Sequence, residues 1–359
     1  MAAMNTHRIP AYSWLLPLAA LAVALILGKG GGWTGAAVLA VLLIGSVMAA
    51  VHHAEVVAVW LGEPFGTLVL TLAVTIIELS LIISMMLSGK PNPGLARDAV
   101  HAVVMLVLNG LAGACIVAGT LRHREQEFQT QGAKAFLSVL MPMAVLVLVM
   151  PNYTVTSPGP TYSTRQLIFV GGACLALYLV FLFVQTVRHQ DYFLPTGAVE
   201  EEAHSTPPAR IGVISALLLV LSLIAVVLLA KFLSPSIDLA IAAIGAPTEL
   251  AGVIVAVIVM LPESFAALRA AQQNRLQTSI NLALGSAVAC IGLTIPSVAA
   301  IAIWMGQPLE LGIGQESTGL LVLSFLVAML TYGQGRTNLL SGFVHLVLLA
   351  SYIFLIFAP

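Results

Sequence analysis

Charge is scarce in this sequence. Asp, Glu, Lys and Arg make up 8% of its 359 residues, where ordinary soluble proteins carry about 25%. Apolar residues make up 60%, and the mean hydropathy is +1.04. A water-soluble core cannot hide that much apolar surface, so the chain reads as an integral membrane protein. The formal net charge of −1 offers no basic surface to nucleic acid. Cysteine is rare too: Cys115, Cys174 and Cys290 lie far apart in apolar stretches. That suits small core side chains rather than a metal or redox centre. No phosphate-cradling GxxxxGKS or GxxxxGKT occurs, and no HExxH or GxSxG. The chain is therefore expected to use no nucleotide and no cofactor, and not to be an enzyme.

What fills the chain instead is a series of long apolar runs broken by polar, Gly or Pro clusters. They suit helices rather than the alternating strands of a barrel. The expected limits are 13–28, 33–60, 65–88, 96–120, 133–151, 164–188, 210–233, 246–270, 276–305, 316–332 and 336–358, about eleven segments in all. The first, from Trp14 to Leu27, has the look of a signal peptide, but no small-residue cleavage site follows, so it reads as a retained helix. With the N-terminus in the cytoplasm, nine of the 14 Lys and Arg fall at inner ends and five at outer ends, the sense of the positive-inside rule. The longest polar connection, 189–209, holds Glu200, Glu201, Glu202, Pro207 and Pro208. It divides the chain near its middle as a solvated, acidic, cytoplasmic linker, with a cation-sensing acidic loop as the alternative.

The halves on either side echo one another. "LGEPFGTLVLTLAVTIIELSLI" (61–82) and "IGAPTELAGVIVAVIVMLPESFAAL" (244–268) both open on Gly-x-Pro, at Gly62 and Pro64, then at Gly245 and Pro247. Both run on into an apolar segment with one central acid, Glu78 and Glu263. With residues 1–32 as an extra N-terminal helix, residues 33–188 and 210–359 become two units of five segments. An odd unit length forces the second copy to enter the membrane upside down. The fold class expected is thus an all-α membrane protein of about 11 helices, two inverted repeats of five plus one, with its site near the bilayer midplane.

Glu78 and Glu263 carry the chemistry. An ionised acid at a helix centre costs about 2.5–3.5 kcal/mol on insertion scales, and no helix bundle needs that twice at matching places. Buried carboxylates hold protons more tightly, and two together more so. A divalent cation is the competing way to neutralise them, with hydroxyls and backbone carbonyls completing its shell. Thr71, Thr75 and Ser80 near the first acid and Ser264 near the second are candidate helpers. Pro262 precedes Glu263 and frees a carbonyl one turn earlier, which predicts a broken helix presenting backbone oxygens. On segments four and nine, Asn109 and Ser286 are further site-lining candidates, while Gly110 and Gly285 permit close packing. His345 reads as an interhelical hydrogen-bonding histidine, with a proton relay as the alternative. Glu55 and Glu63, with His52 and His53, form a candidate cytoplasmic mouth that gathers cations or senses pH.

The stretches "HHAEVVAVWLGEPFGTLVL", "ARDAVHAVVML", "MLPESFAAL", "NLALGSAVACIGLTIP" and "GQGRTNLLSGFVHLVLLASY", spread over residues 50 to 355, resemble the cation/calcium exchanger superfamily and its bacterial calcium/proton antiporters. The resemblance implies ten core helices in inverted repeats, Glu78 and Glu263 as the ion-binding acids, and an acidic loop between halves, here Glu200 to Glu202. It implies a secondary antiporter of the bacterial inner membrane with Ca²⁺ and H⁺ as substrates and lipid as its surroundings, and Na⁺ or K⁺ as alternative cations. The sequence also departs from the family. Val74-Thr75 and Val259-Met260 stand where relatives often carry Gly-Asn, and Ala289 stands where a Gln often follows Gly-Ser.

Overall fold

The computed structural model describes residues 9–27, 32–62, 65–88, 93–194 and 207–358. Eleven helical spans follow one another: α1 (Ala11–Leu27), α2 (Gly32–Leu61), α3 (Phe65–Ser88), α4 (Leu95–His123), α5 (Thr130–Tyr153), α6 (Thr164–Arg188), α7 (Ala209–Ala243), α8 (Leu250–Gln272), α9 (Leu276–Met305), α10 (Gln315–Tyr332) and α11 (Leu339–Phe357). From α2 onward all ten are long and apolar enough to cross a bilayer; α1 is shorter. Membrane spans must satisfy their own backbone, and uninterrupted helices do so.

The expected boundaries hold closely, with three corrections. The seventh helix does not stop at 233 but runs through Pro235 to Ala243, because an apolar membrane helix tolerates one lost hydrogen bond. The eighth begins at Leu250, not 246. Residues 336–338 are not the start of the last helix. Arg336–Asn338 (β2) pairs antiparallel with Glu125–Glu127 (β1), Gln126 opposite Thr337. Gly335, at φ +75°, makes the turn into β2, and Asn338 Oδ1 then caps α11 by accepting from the amides of Leu340 and Ser341. The described residues are thus nearly all helical, with one small two-stranded sheet among them.

Four spans contain a π-helical turn: Leu106–Leu111 in α4, Val145–Val149 in α5, Val184–Arg188 in α6 and Cys290–Thr294 in α9. The helices form two compact units, residues 1–92 with 200–244, and 93–199 with 245–359. Each unit draws on both halves of the sequence.

In the first unit α2 and α7 run antiparallel in close contact. Gly212 at the start of α7 lies against Trp60 at the end of α2, where a Cβ would come within 2.2 Å of the indole. α1 joins them through His53 Nε2, which donates to the Ser13 carbonyl at 3.1 Å. In the second unit α4 meets α11 through small residues. A Cβ on Gly113 would come within 2.9 Å of the Gly342 carbonyl, and one on Gly110 within 3.2 Å of Leu349. Cys115, Cys174 and Cys290 are buried and form no disulfide with one another, as small core side chains should.

Candidate functional site

The two Gly-x-Pro motifs have the same structural job. Gly62 follows α2 at φ +69° and Gly245 follows α7 at φ +64°, both left-handed conformations in which glycine escapes the Cβ penalty. Each glycine ends a long helix and turns the chain toward a span with a central acid.

On α3, Glu78 sits at the centre of the apolar stretch Val69–Met86 and is 2% exposed. Thr75, one turn earlier, is buried, and its Oγ1 donates to the Thr71 carbonyl at 2.9 Å. The hydroxyl proton is spent within the helix, and the oxygen lone pairs stay free to accept or ligate. Thr71, Thr75 and Glu78 share one face by their spacing. Ser80 Oγ likewise donates within the helix, to Ile76.

On α8, Glu263 lies near the middle of Leu250–Gln272 and is half-buried. The expected break at Pro262 is not present: α8 is continuous through it. A single proline removes one amide donor without unwinding a helix held by its neighbours. The backbone oxygen it frees is that of Ile258. α8 is gripped at both ends. A Cβ on Gly252 would come within 2.5 Å of the Ala99 amide nitrogen of α4. Toward the other end, Ser279 Oγ donates to the Ala267 carbonyl at 2.5 Å, Gln126 Nε2 to that of Ala271 at 2.8 Å, and His123 Nε2 to that of Gln272 at 3.0 Å.

The secondary candidates divide. Ser264 lines an apolar cavity of about 410 Å³ between α8, α4 and α11. Ser286 on α9 is half-buried beside Gly285, whose nearest neighbour is the Phe136 ring. Asn109 is fully buried in the π-turn of α4. Its Nδ2 donates to Ser324 Oγ at 2.9 Å, and its Oδ1 accepts from His345 Nδ1 at 3.4 Å. His345 Nε2 in turn accepts from Thr331 Oγ1 at 3.0 Å. His345 is therefore an interhelical hydrogen-bonding residue, and Asn109 is tied to α10 and α11.

At the expected mouth, Glu55 is half-buried, and His52 lies between the rings of Tyr12 and His53, with centroids 6.0 and 5.4 Å away. His53 is buried and holds α1. Glu63 and the acidic run Glu200, Glu201 and Glu202 lie outside the described residues. Among the described residues no three or more His, Cys, Asp or Glu side chains are grouped as a metal site, so a cation here would rely on paired acids with hydroxyl and backbone oxygens.

Two features were not anticipated. Arg97 donates from Nε to Asp98 Oδ1 at 2.8 Å and from a terminal nitrogen to the Gly312 carbonyl at 3.3 Å, with Glu310 at 3.8 Å. This pairs the start of α4 with the loop before α10; adjacent Arg-Asp at a helix start was the visible signal. The other is the β1–β2 pairing, for which three-residue strands leave no periodicity to read.

Ten apolar spans, two of them with an acid at the centre, define a polytopic membrane protein of the secondary-transporter type. Comparison with known proteins is specific. The sodium/calcium exchanger protein family matches residues 31–187 and 214–358, and the chain belongs to it. It is 44% identical over 371 residues to the "Putative ionic transporter y4hA" of Sinorhizobium fredii, covering 99% of this chain and 98% of that one. It is 35% identical to the sodium-potassium/proton antiporter ChaA of Escherichia coli, covering 88% and 87%. The solved structure of native YfkE shares its fold, with a TM-score of 0.75 over 97% of this chain and 100% of that one, at 17% identity.

Proposed function

We propose that this member of the exchanger family is a proton-coupled antiporter that expels Ca²⁺, with cation and protons taking turns on Glu78 and Glu263. The observation that carries the reading is the pair of acids at the centres of α3 and α8, each placed by a left-handed glycine turn of the same motif. In one access state protons neutralise the carboxylates; in the other they leave and the cation replaces them. Competition for the same oxygens couples the two fluxes, and alternating access prevents a leak. Two acids make two protons per Ca²⁺ the simplest cycle.

Thr71, Thr75, Ser264 and Ser286 are the proposed helpers, with the Ile258 oxygen freed by Pro262. We place Asn109 outside the liganding set, because both ends of its amide are engaged. The proposed frame is two inverted halves, 33–188 and 210–359, joined by the acidic linker 189–209 and preceded by the helix within 1–32. The proposed setting is the bacterial inner membrane, N-terminus inside, with Glu55 and His52 at the cytoplasmic mouth. His53 serves to dock α1.

A second reading keeps the site and changes the ion to Na⁺ or K⁺. Two features favour it: the name carried by the 35% identical relative, and Val74-Thr75 and Val259-Met260 standing where relatives often carry Gly-Asn, which leaves fewer neutral side-chain oxygens for a Ca²⁺ shell. A pH gradient imposed on everted vesicles should drive uptake of labelled Ca²⁺. Uptake of labelled Na⁺ or K⁺ with none of Ca²⁺ would replace the first reading by the second.

A further inference from the structure

We propose that Asn109 is a positioning residue that, through the π-turn of α4, sets how tightly the Glu263 segment of α8 holds its cation. The inference rests on the reading that Glu263 binds the transported ion.

Asn109 sits in Leu106–Leu111, where one extra residue is fitted into a helix. No proline lies in α4 to force such a turn, and π-turns occur mostly at functional places. The turn is held by polar contacts. Asn109 binds Ser324 of α10 and His345 of α11; His345 binds Thr331; and Ser324 Oγ donates a hydrogen bond to the Leu320 carbonyl at 2.8 Å. With the amide oxygen of Asn109 toward His345, the imidazole donates from Nδ1 and accepts from Thr331 at Nε2. A buried hydrogen-bond network of this kind specifies position more narrowly than apolar packing does.

The π-turn faces the functional helix. Leu106 and Gly110 line the cavity of about 410 Å³ together with Met260, Leu261 and Ser264 of α8 and Leu349 of α11. Met260, Leu261 and Ser264 flank Glu263 in the chain. Elsewhere α8 is tightly held, by Gly252 against α4 and by Ser279, Gln126 and His123 near its end. Around Glu263 its own ladder lacks the bond that Pro262 removes, and buried Met260, one turn before the acid, packs toward the π-turn. The hydrogen-bonded turn is thus part of the wall against which this stretch of α8 rests. A displaced π-turn would move the resting place of Glu263 without touching the ion.

The test is the cation dependence of proton exchange in proteoliposomes, separating half-saturating concentration from maximal rate. Interhelical hydrogen bonds in membranes average about 0.6 kcal/mol and reach about 1.7, which corresponds to roughly 3- to 20-fold in affinity. Ser324→Ala and Asn109→Leu should raise the half-saturating concentration by that factor and keep the maximal rate within about twofold, whereas Ser324→Thr, which keeps the hydroxyl, should match wild type. Elution as a single symmetric peak in size exclusion establishes folding; if Asn109→Leu fails there, the Ala and Thr variants of Ser324 decide. An unchanged half-saturating concentration in Ser324→Ala, or a Ser324→Thr variant that behaves like it, overturns the proposal. Exchange that survives Glu263→Gln removes the underlying reading and this proposal together; loss of exchange in Glu263→Gln with wild-type affinity in Ser324→Ala removes this proposal alone.

Discussion

Glu78 and Glu263 are chemically identical and differently housed. Glu78 is buried at 2% exposure behind a threonine whose hydroxyl is bonded back to its own helix; Glu263 is half-buried beside a proline. Removing a charged partner from a buried charge pair costs about 2–5 kcal/mol. Glu78→Gln and Glu263→Gln should each therefore cut the initial exchange rate by at least about 30-fold, measured as cation-driven proton movement at saturating cation. Thr75→Val should be milder. Its oxygen is free only as an acceptor, so loss of one neutral ligand should raise the half-saturating cation concentration by about tenfold, and Thr75→Ser should restore it. The central place of both acids in apolar helices was legible in the sequence because the runs around them are long and uncharged. The ties of Asn109 were not, since the sequence does not say which helices a buried amide joins. Its partners Ser324 and His345 lie more than 200 residues away in the chain.

At the scale of helices, glycine sets the contacts that hold the functional spans. Gly252 lets α8 touch the backbone of α4 at Ala99, and Gly252→Ala would place a carbon 2.5 Å from that nitrogen. Overpacking of this kind costs about 1–3 kcal/mol. The variant should lower the thermal unfolding midpoint in detergent by several degrees, with a matching change at Gly212→Ala, where Trp60 is the obstacle. Gly172→Ala, with open space around it, is the control expected to be neutral. The eleven helices were readable to within a few residues because bilayer thickness dictates their length. What escaped was local: the run of α7 through Pro235, the continuity of α8 through Pro262, and the β1–β2 pairing. In each case neighbouring helices overrode a local signal or supplied a weak one. A proline reads as a break in isolation but is absorbed in a packed membrane helix, and Gly335-Arg336-Thr337-Asn338 becomes a strand only because residues 125–127 lie beside it.

For the molecule as a whole, charge scarcity is the governing fact. On the proposed mechanism a proton and a cation compete for the same two carboxylates, and the sign of the pH dependence follows. While the carboxylates are protonated, the cation has to displace protons, so raising the pH on the cation-loading side lowers the half-saturating cation concentration. Linkage sets the slope at up to about tenfold per pH unit for each proton displaced: up to about 100-fold for Ca²⁺ exchanged for two protons, and about tenfold for a monovalent ion exchanged for one. Titrating that slope in proteoliposomes therefore also reports the stoichiometry. The most direct measurement is the collapse of a preformed pH gradient in everted membrane vesicles on addition of Ca²⁺, Na⁺ or K⁺, for wild type, Glu78→Gln and Glu263→Gln at equal expression. The expected result is collapse by Ca²⁺ in wild type and none by any cation in either variant. Full collapse in either variant would contradict the shared-carboxylate mechanism.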